Sequence, residues 1–195
     1  MLFHSFFALF SLFLCALATV PATVYRGDSR SPADLKKVNG FQTYAATNNV
    51  NPNLDLIVHC QGGHDDDDGY VSTSKSYKVA SNFGRKKDGY VYYIDTSHSP
   101  SQYIDVAAWC KANSEKNPIP KEQEFSSKAG IPWSSIVKWD KIEKGKVVSS
   151  ETRIAFDAGG TNSRPSSSGK GSTKGSRAIQ IRGATREKIT DLEYQ

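Results

Sequence analysis

Two glutamates one residue apart, in Glu122-Gln123-Glu124, are the groups in this chain whose spacing best suits chemistry. On a strand, residues two apart share a face, with Cα atoms roughly 6.5–7 Å apart. Two carboxylates on one face repel unless a cation lies near them. Such a pair suits a developing oxocarbenium ion beside a group that accepts a proton. In isolation the same residues read as a solvated acidic turn after Lys121. A second segment, residues 69–74, reads Gly-Tyr-Val-Ser-Thr-Ser. As a strand it puts Ser72 and Ser74 on one face and Thr73 on the other. The Ser72 hydroxyl could then hold a carboxylate in place, although such runs are common in exposed strands. The third is Val24-Tyr25-Arg26-Gly27-Asp28-Ser29-Arg30. An arginine leaving a strand can offer its planar fork to a phosphate or carboxylate, or simply be solvated.

The elements that must position these groups are short. Residues 24–28 suit a strand. Ser31 suits a helix N-cap, Pro32 the first helical position, and Gly40 a stop after Leu35 and Val38. Residues 48–53 are rich in Asn and should be loop, and 54–59 fit a strand or a short helix equally. Residues 61–68 form an acidic, turn-rich loop. It lacks the ligand spacing and glycine of a calcium-binding loop, so no metal is expected there. Residues 69–74 read as a strand at a sheet edge. Residues 89–95, Gly-Tyr-Val-Tyr-Tyr-Ile-Asp, predict a central buried strand. A helix is expected over 101–112, and strands over 122–126 and 136–142 on either side of Gly130-Ile131-Pro132. The pattern is α+β with several short antiparallel strands.

Composition sets the boundaries. Residues 1–22 are apolar, carry no Lys, Arg, Asp or Glu, and close with small residues from Ala16 to Ala22. They are expected to be a secretory signal peptide cleaved near Ala18 to Ala22, leaving a secreted protein with no membrane anchor; an anchor is the other reading, for which the apolar run is at the short limit. Of three cysteines, Cys60 and Cys110 then remain in an oxidising compartment, so a bridge between them is expected, two buried free thiols being the other reading. The net charge of +5 is unevenly spread. Residues 23–157 hold 18 basic and 17 acidic residues, giving +1, and 158–195 hold 7 and 3, giving +4. A near-neutral domain argues against a nucleic-acid partner. Residues 158–178 are dominated by Gly, Ser, Thr, Lys and Arg and are expected to be disordered. The expected organisation is signal peptide 1–22, one domain over 23–157, and a basic tail over 158–195.

The three segments occur in an order that carries a resemblance. Tyr-Arg-Gly-Asp-Ser-Arg near the start, Asp-Asp-Gly-Tyr-Val-Ser-Thr-Ser in the middle and Glu-Gln-Glu-Phe-Ser before Gly-Ile-Pro-Trp-Ser resemble the family of ADP-ribosyltransferases that includes the catalytic subunits of cholera toxin and heat-labile enterotoxin. The resemblance covers residues 24 to about 148. It implies an ADP-ribosyltransferase fold of two small antiparallel sheets around an NAD cleft with flanking helices. It implies NAD as a substrate and, as partner, a target protein carrying an acceptor arginine. By resemblance, Arg26 contacts the NAD phosphate and braces the pocket, Ser72 orients Glu124, and Glu124 binds the nicotinamide ribose and stabilises the oxocarbenium ion. Glu122 deprotonates the acceptor arginine. Gly27, Asp28, Ser29 and Arg30 join Arg26 in holding the cofactor. His59 resembles the family's active-site histidine, with a shortened spacing to Ser72; a structural buried histidine is the other reading. The family's disulfide-closed linker to a B-subunit partner has no counterpart here, since no cysteine follows Cys110. Transfer to DNA guanine, plain NAD hydrolysis and an inactive secreted binding module are the alternatives. Glu122 and the near-neutral domain speak against the first. Retention of Arg26, Ser72, Glu122 and Glu124 speaks against the last.

Overall fold

The strand with the densest aromatic and β-branched content lies inside the sheet, as its composition predicts. In the computed structural model, which describes residues 19–62, 65–85 and 88–159, it spans Gly89–Asp95 (β4). It is flanked by Thr23–Asp28 (β1) and Ile136–Glu143 (β8), and Lys146–Thr152 (β9) folds back on β8 as one sheet edge. Beyond β1 lie Tyr70–Ser74 (β3), Glu124–Lys128 (β6) and Tyr103–Asp105 (β5), giving the order β5-β6-β3-β1-β4-β8-β9. Gly40–Phe41 (β2) and Ile131–Pro132 (β7) make a second, two-stranded sheet. All of these pairings are antiparallel.

The larger sheet is uneven in a way that matters for the site. β1 and β4 share six register pairs and β3 and β6 share five, but β1 and β3 meet only at Tyr25↔Ser74. It is therefore a three-stranded and a four-stranded antiparallel sheet hinged at one residue pair. Where the two halves splay, backbone groups must find partners outside the ladder.

The helices are short and rely on caps. Ser31 caps Pro32–Lys37 (α1), accepting from the Asp34 N–H at 3.2 Å. Thr43 caps Tyr44–Asn48 (α2), which stops at a left-handed Asn49. Asp55 caps Leu56–Cys60 (α3) through the Ile57 and Val58 N–H groups. Tyr77–Arg85 (α4) packs on β1 and β4. Asp105 caps Val106–Ala112 (α5), and Thr152 caps Arg153–Asp157 (α6). The main core joins Val24, Leu35, Phe41, Tyr92, Ile94, Phe125, Ile136 and Trp139. A smaller cluster of Leu56, Cys60, Tyr70, Val106 and Cys110 lies where α3 and α5 cover β3.

Several expectations change. Residues 54–59, open between strand and helix, enter α3, because Asp55 satisfies two first-turn N–H groups. β3 lies inside the sheet, between β6 and β1, rather than at an edge. The helix expected from 101 starts at Val106, since Tyr103–Asp105 is drawn into pairing with β6. The strand expected from Glu122 starts at Glu124, because Glu122 closes a 3-10 turn and Gln123 is left-handed at φ 49°. The Cys60–Cys110 bridge is not formed. Both are free thiols buried in the same apolar cluster, where a thiol packs as a small hydrophobe. At the front, Val20 packs on the main core, and Thr96 donates to the Pro21 carbonyl at 2.6 Å and to the Ala22 carbonyl at 3.1 Å. The chain divides into units of residues 1–160 and 161–195. The second unit, with most of the expected disordered tail, and residues 1–18 of the expected leader lie outside the described residues.

Candidate active site

The site grows from the β3–β6 ladder. Its register sets Ser72 opposite Ser126 and Ser74 opposite Glu124. Paired residues of antiparallel strands project to the same side, and residues two apart share a face. The four polar side chains therefore form one patch on the face covered by α3 and α5. The patch is largely buried: Ser74, Glu124 and Ser126 are all excluded from solvent, so each needs a polar partner.

Glu124 has those partners. The Ser126 hydroxyl donates to its Oε1 at 2.9 Å, and His59 Nε2 lies 3.1 Å from the same oxygen. Ser72 Oγ lies 3.0 Å from His59 Nε2. The other ring nitrogen, Nδ1, is 2.8 Å from Asp68 Oδ2. Burial alone would push the His59 pKa down, but hydrogen bonds to Asp68 and Glu124 and their charges outweigh it and raise the pKa to about 9. Burial alone would push Glu124 up. The hydrogen bond and charge of His59, with the hydroxyls of Ser72 and Ser126, win and hold it below the usual carboxylate range. Glu124 is thus a buried, fixed anion, the state a group must have to stabilise positive charge developing on a substrate.

Glu122 sits differently. Its carboxylate is half-buried, and its turn is tied to the end of β3. Ser74 Oγ donates to the Glu122 carbonyl at 2.6 Å, and the Lys75 N–H donates to the Gln123 carbonyl at 3.2 Å. Burial first, then the charge of Glu124, raises its pKa, with His59 pulling the other way. A carboxylate with a raised pKa is the better proton acceptor.

On the other side of the splay, Arg26 Nη1 donates to the Ser72 carbonyl at 2.8 Å, bridging β1 and β3 where their ladder has ended. Its Nε lies 3.3 Å from Asp28 Oδ2. Arg30 grips Asp28 through two bonds of 2.9 and 2.7 Å. Burial would raise the Asp28 pKa, but Arg30 and Arg26 hold it low. Both guanidinium groups stack over the Phe41 ring, at 5.2 and 5.4 Å from its centroid. Two partly exposed arginines on a common aromatic floor can present donors to a diphosphate. Ser29 is exposed beside them. Gly27 faces the opposite way. A Cβ there would lie 2.0 Å from the Ala80 carbonyl and 2.7 Å from the Gly84 nitrogen, so its task is the close approach of α4 to β1.

The structure therefore brings Ser72, His59, Glu122 and Glu124 into one cluster, with Arg26 joined through the Ser72 backbone and Asp28 and Arg30 through Arg26. Two participants escaped sequence reasoning. Ser126 follows Glu124 by two positions, and the strand period could have found it. Asp68 is the last of four consecutive aspartates, and nothing in the run singles it out.

Comparison with known proteins agrees with this fold. The chain is 31% identical over 149 residues to the NAD(+)--arginine ADP-ribosyltransferase Chelt of Vibrio cholerae, covering 71% of this chain and 24% of that protein. It is 31% identical over 137 residues to the heat-labile enterotoxin A chain of Escherichia coli, covering 64% of this chain and 51% of that protein. It thus spans about half or less of the length of these two relatives. Among solved structures, a heat-labile enterotoxin with an arginine-to-lysine substitution aligns with TM-score 0.55 and 28% identity, covering 67% of this chain and 73% of that one. A guanine-specific ADP-ribosyltransferase shares the fold, with TM-score 0.52 at 24% identity over 69% of this chain and 77% of that one. A family model described as heat-labile enterotoxin alpha chain matches residues 2–158, and the chain belongs to that family.

Proposed function

We propose that this protein cleaves NAD at the nicotinamide–ribose bond and transfers ADP-ribose to an arginine of a target protein. The observation that carries the reading is the buried Glu124 anion, fixed by His59 and Ser126 beside a second, more basic carboxylate on Glu122. In this reading Arg26 and Arg30 hold the diphosphate, with Asp28 fixing their orientation and Ser29 at the rim. Ser72 and His59 hold Glu124 against the nicotinamide ribose. The glycosidic C–N bond breaks with its electron pair leaving on the nicotinamide nitrogen, and the positive charge that develops on the ribose faces Glu124. The lone pair of an acceptor guanidine nitrogen forms the new C–N bond. The proton lost from that nitrogen passes to Glu122, a task that exists because free arginine is fully protonated. Water is the slow competing acceptor. The name of the Vibrio cholerae relative, an arginine ADP-ribosyltransferase, supports arginine as acceptor. The apolar leader supports export, and with it a toxin-like role on a target cell.

The test is incubation of the protein with labelled NAD and agmatine, a small guanidine acceptor, followed by mass spectrometry. ADP-ribosyl-agmatine and free nicotinamide are expected. Nicotinamide without the adduct would favour an NAD hydrolase, and no nicotinamide would overturn the reading.

A further inference from the structure

We infer that Asp68 is a positioning residue of this site: it holds His59 as a fixed cation whose Nε2–H aligns Glu124 and Ser72. The inference rests on the reading above and adds to it a residue outside the cleft's reacting groups.

Asp68 is almost fully buried, at 4% exposure, and a buried carboxylate must be compensated. Its Oδ1 accepts from the Tyr70 N–H at 2.9 Å, and its Oδ2 faces His59 Nδ1 at 2.8 Å. The backbone beneath it is equally fixed. The Asp68 N–H donates to Asp65, the Ala45 N–H donates to the Asp68 carbonyl, and Asp68 bridges Asn53. Asp68 therefore enters the site from the rigid foot of β3, four residues before Ser72.

The protonation of His59 follows from the geometry. Each ring nitrogen faces a carboxylate. A neutral ring with hydrogen on Nε2 would turn the Nδ1 lone pair toward Asp68 at 2.8 Å, and the other tautomer would turn a lone pair toward Glu124 at 3.1 Å. Only the imidazolium satisfies both. The groups facing it among the described residues are Asp68 from the loop before β3, Tyr70 and Ser72 from β3, and Glu124 from β6, with Glu122 farther off.

The same contacts order Ser72, His59 and Asp68 as a nucleophile triad would, and the difference is instructive. A triad needs an Nε2 lone pair to accept the serine proton. Here the single Nε2 hydrogen is shared between Glu124 Oε1 and Ser72 Oγ, so the ring has no lone pair with which to act as the base for Ser72. The serine oxygen accepts from the ring, and its own hydrogen is left for Glu124, consistent with the lowering of the Glu124 pKa by Ser72. Asp68 thus acts on catalysis through the ring.

The decisive measurements use the full chain with 15N-labelled histidine. The His59 ring should be cationic at pH 7 and remain so to about pH 8; a neutral His59 at pH 7 overturns the inference without any variant. Asp68→Asn keeps the shape and removes the charge. It should lower the His59 pKa by at least about one unit and cut kcat for NAD cleavage roughly 10–100-fold, with KM changed far less. Asp68→Glu, which restores the charge, should restore the high His59 pKa. Circular dichroism and thermal melting establish that each variant is folded. A folded Asp68→Asn with wild-type kcat, or with an unmoved His59 titration, overturns the inference. If the wild-type protein fails to cleave NAD, the proposed function falls, while the titrations still decide whether Asp68 governs His59.

Discussion

The two glutamates differ in their surroundings. Glu124 is buried and held ionised, and Glu122 is half-buried with its pKa raised by burial and by Glu124. If Glu124 faces the sugar, both hydrolysis and transfer need it, and Glu124→Gln should reduce the two together by about 10²–10³-fold. If Glu122 serves only the acceptor, Glu122→Gln should cripple transfer to agmatine and spare most NAD hydrolysis. Equal losses in Glu122→Gln would make that acid a structural or NAD-binding group. The same charges set a pH window for stability. His59 is raised from 6.5 to about 9, so its contribution is full below pH 6.5 and is lost as the pH rises through 9. Glu124 is lowered from 4.5, so its contribution is present above that value and is lost as the pH falls through its folded pKa. The thermal midpoint should be highest between about pH 4.5 and 6.5 and fall on both sides; a midpoint that stays flat from pH 7 to 10 would show that His59 carries no folded-state charge pair.

Between elements, the register of β3 with β6 converts strand alternation into a site, and the turn before β6 adds the second acid. Ser74 ties that turn to β3 through the Glu122 carbonyl, and it also accepts from the Ser76 N–H at 3.0 Å. Ser74→Ala should cost about 1 kcal/mol of stability in urea unfolding. It should also reduce transfer to agmatine more than NAD hydrolysis, because it frees Glu122 and leaves Glu124 in place; an equal effect on both reactions would argue against this division. The alternation of Ser72 with Ser74 was legible from the sequence, as were the Ser31 cap and the central β4. Helix α4 was not. Where it approaches closest to β1 it carries small residues, Ala80 and Gly84, four apart and pressed against Gly27, while its bulky Phe83 stays exposed, so large apolar residues do not mark the packed face. Glu122 was misread as strand because period-2 logic cannot foresee the left-handed Gln123 that turns the chain before β6. The role of Asp68 depends on a contact with His59 nine residues earlier, folded together by caps and a bridge that no local pattern announces.

At the scale of the molecule, the body closes at both ends by contacts that composition did not mark. At the front, residues 20–22 fall within the stretch read as leader, yet Val20 packs on the main core and Thr96 donates to Pro21 and Ala22. A chain starting at Thr19 should be more stable than one starting at Thr23 by about 1–3 kcal/mol, the worth of two hydrogen bonds and a half-buried valine. Equal urea midpoints for the two would show that these contacts add nothing.

The far end is held by α6, which shields the aromatic end of the core. Phe156 lies 5.9 Å from the Trp133 ring centroid and 5.2 Å from that of Trp139, in edge-to-face contact with both. Asp157 accepts from Trp133 Nε1 and pairs with Lys36 of α1 at 2.8 Å, joining the last helix of the body to the first. A chain ending at Gly160 keeps all of these contacts. It should unfold cooperatively with the thermal midpoint of the full chain and match it in the proposed NAD cleavage. A chain ending at Thr152 loses Phe156 and Asp157 together, opening the Trp133–Trp139 end of the core to water, and it should unfold well below the full chain. Phe156→Ala in the full chain isolates the packing share. It should cost about 2–3 kcal/mol, below the value for a fully buried phenylalanine because this ring is only partly covered. If the chain ending at Thr152 melted like the full one, α6 would be an appendage and the body would end at β9.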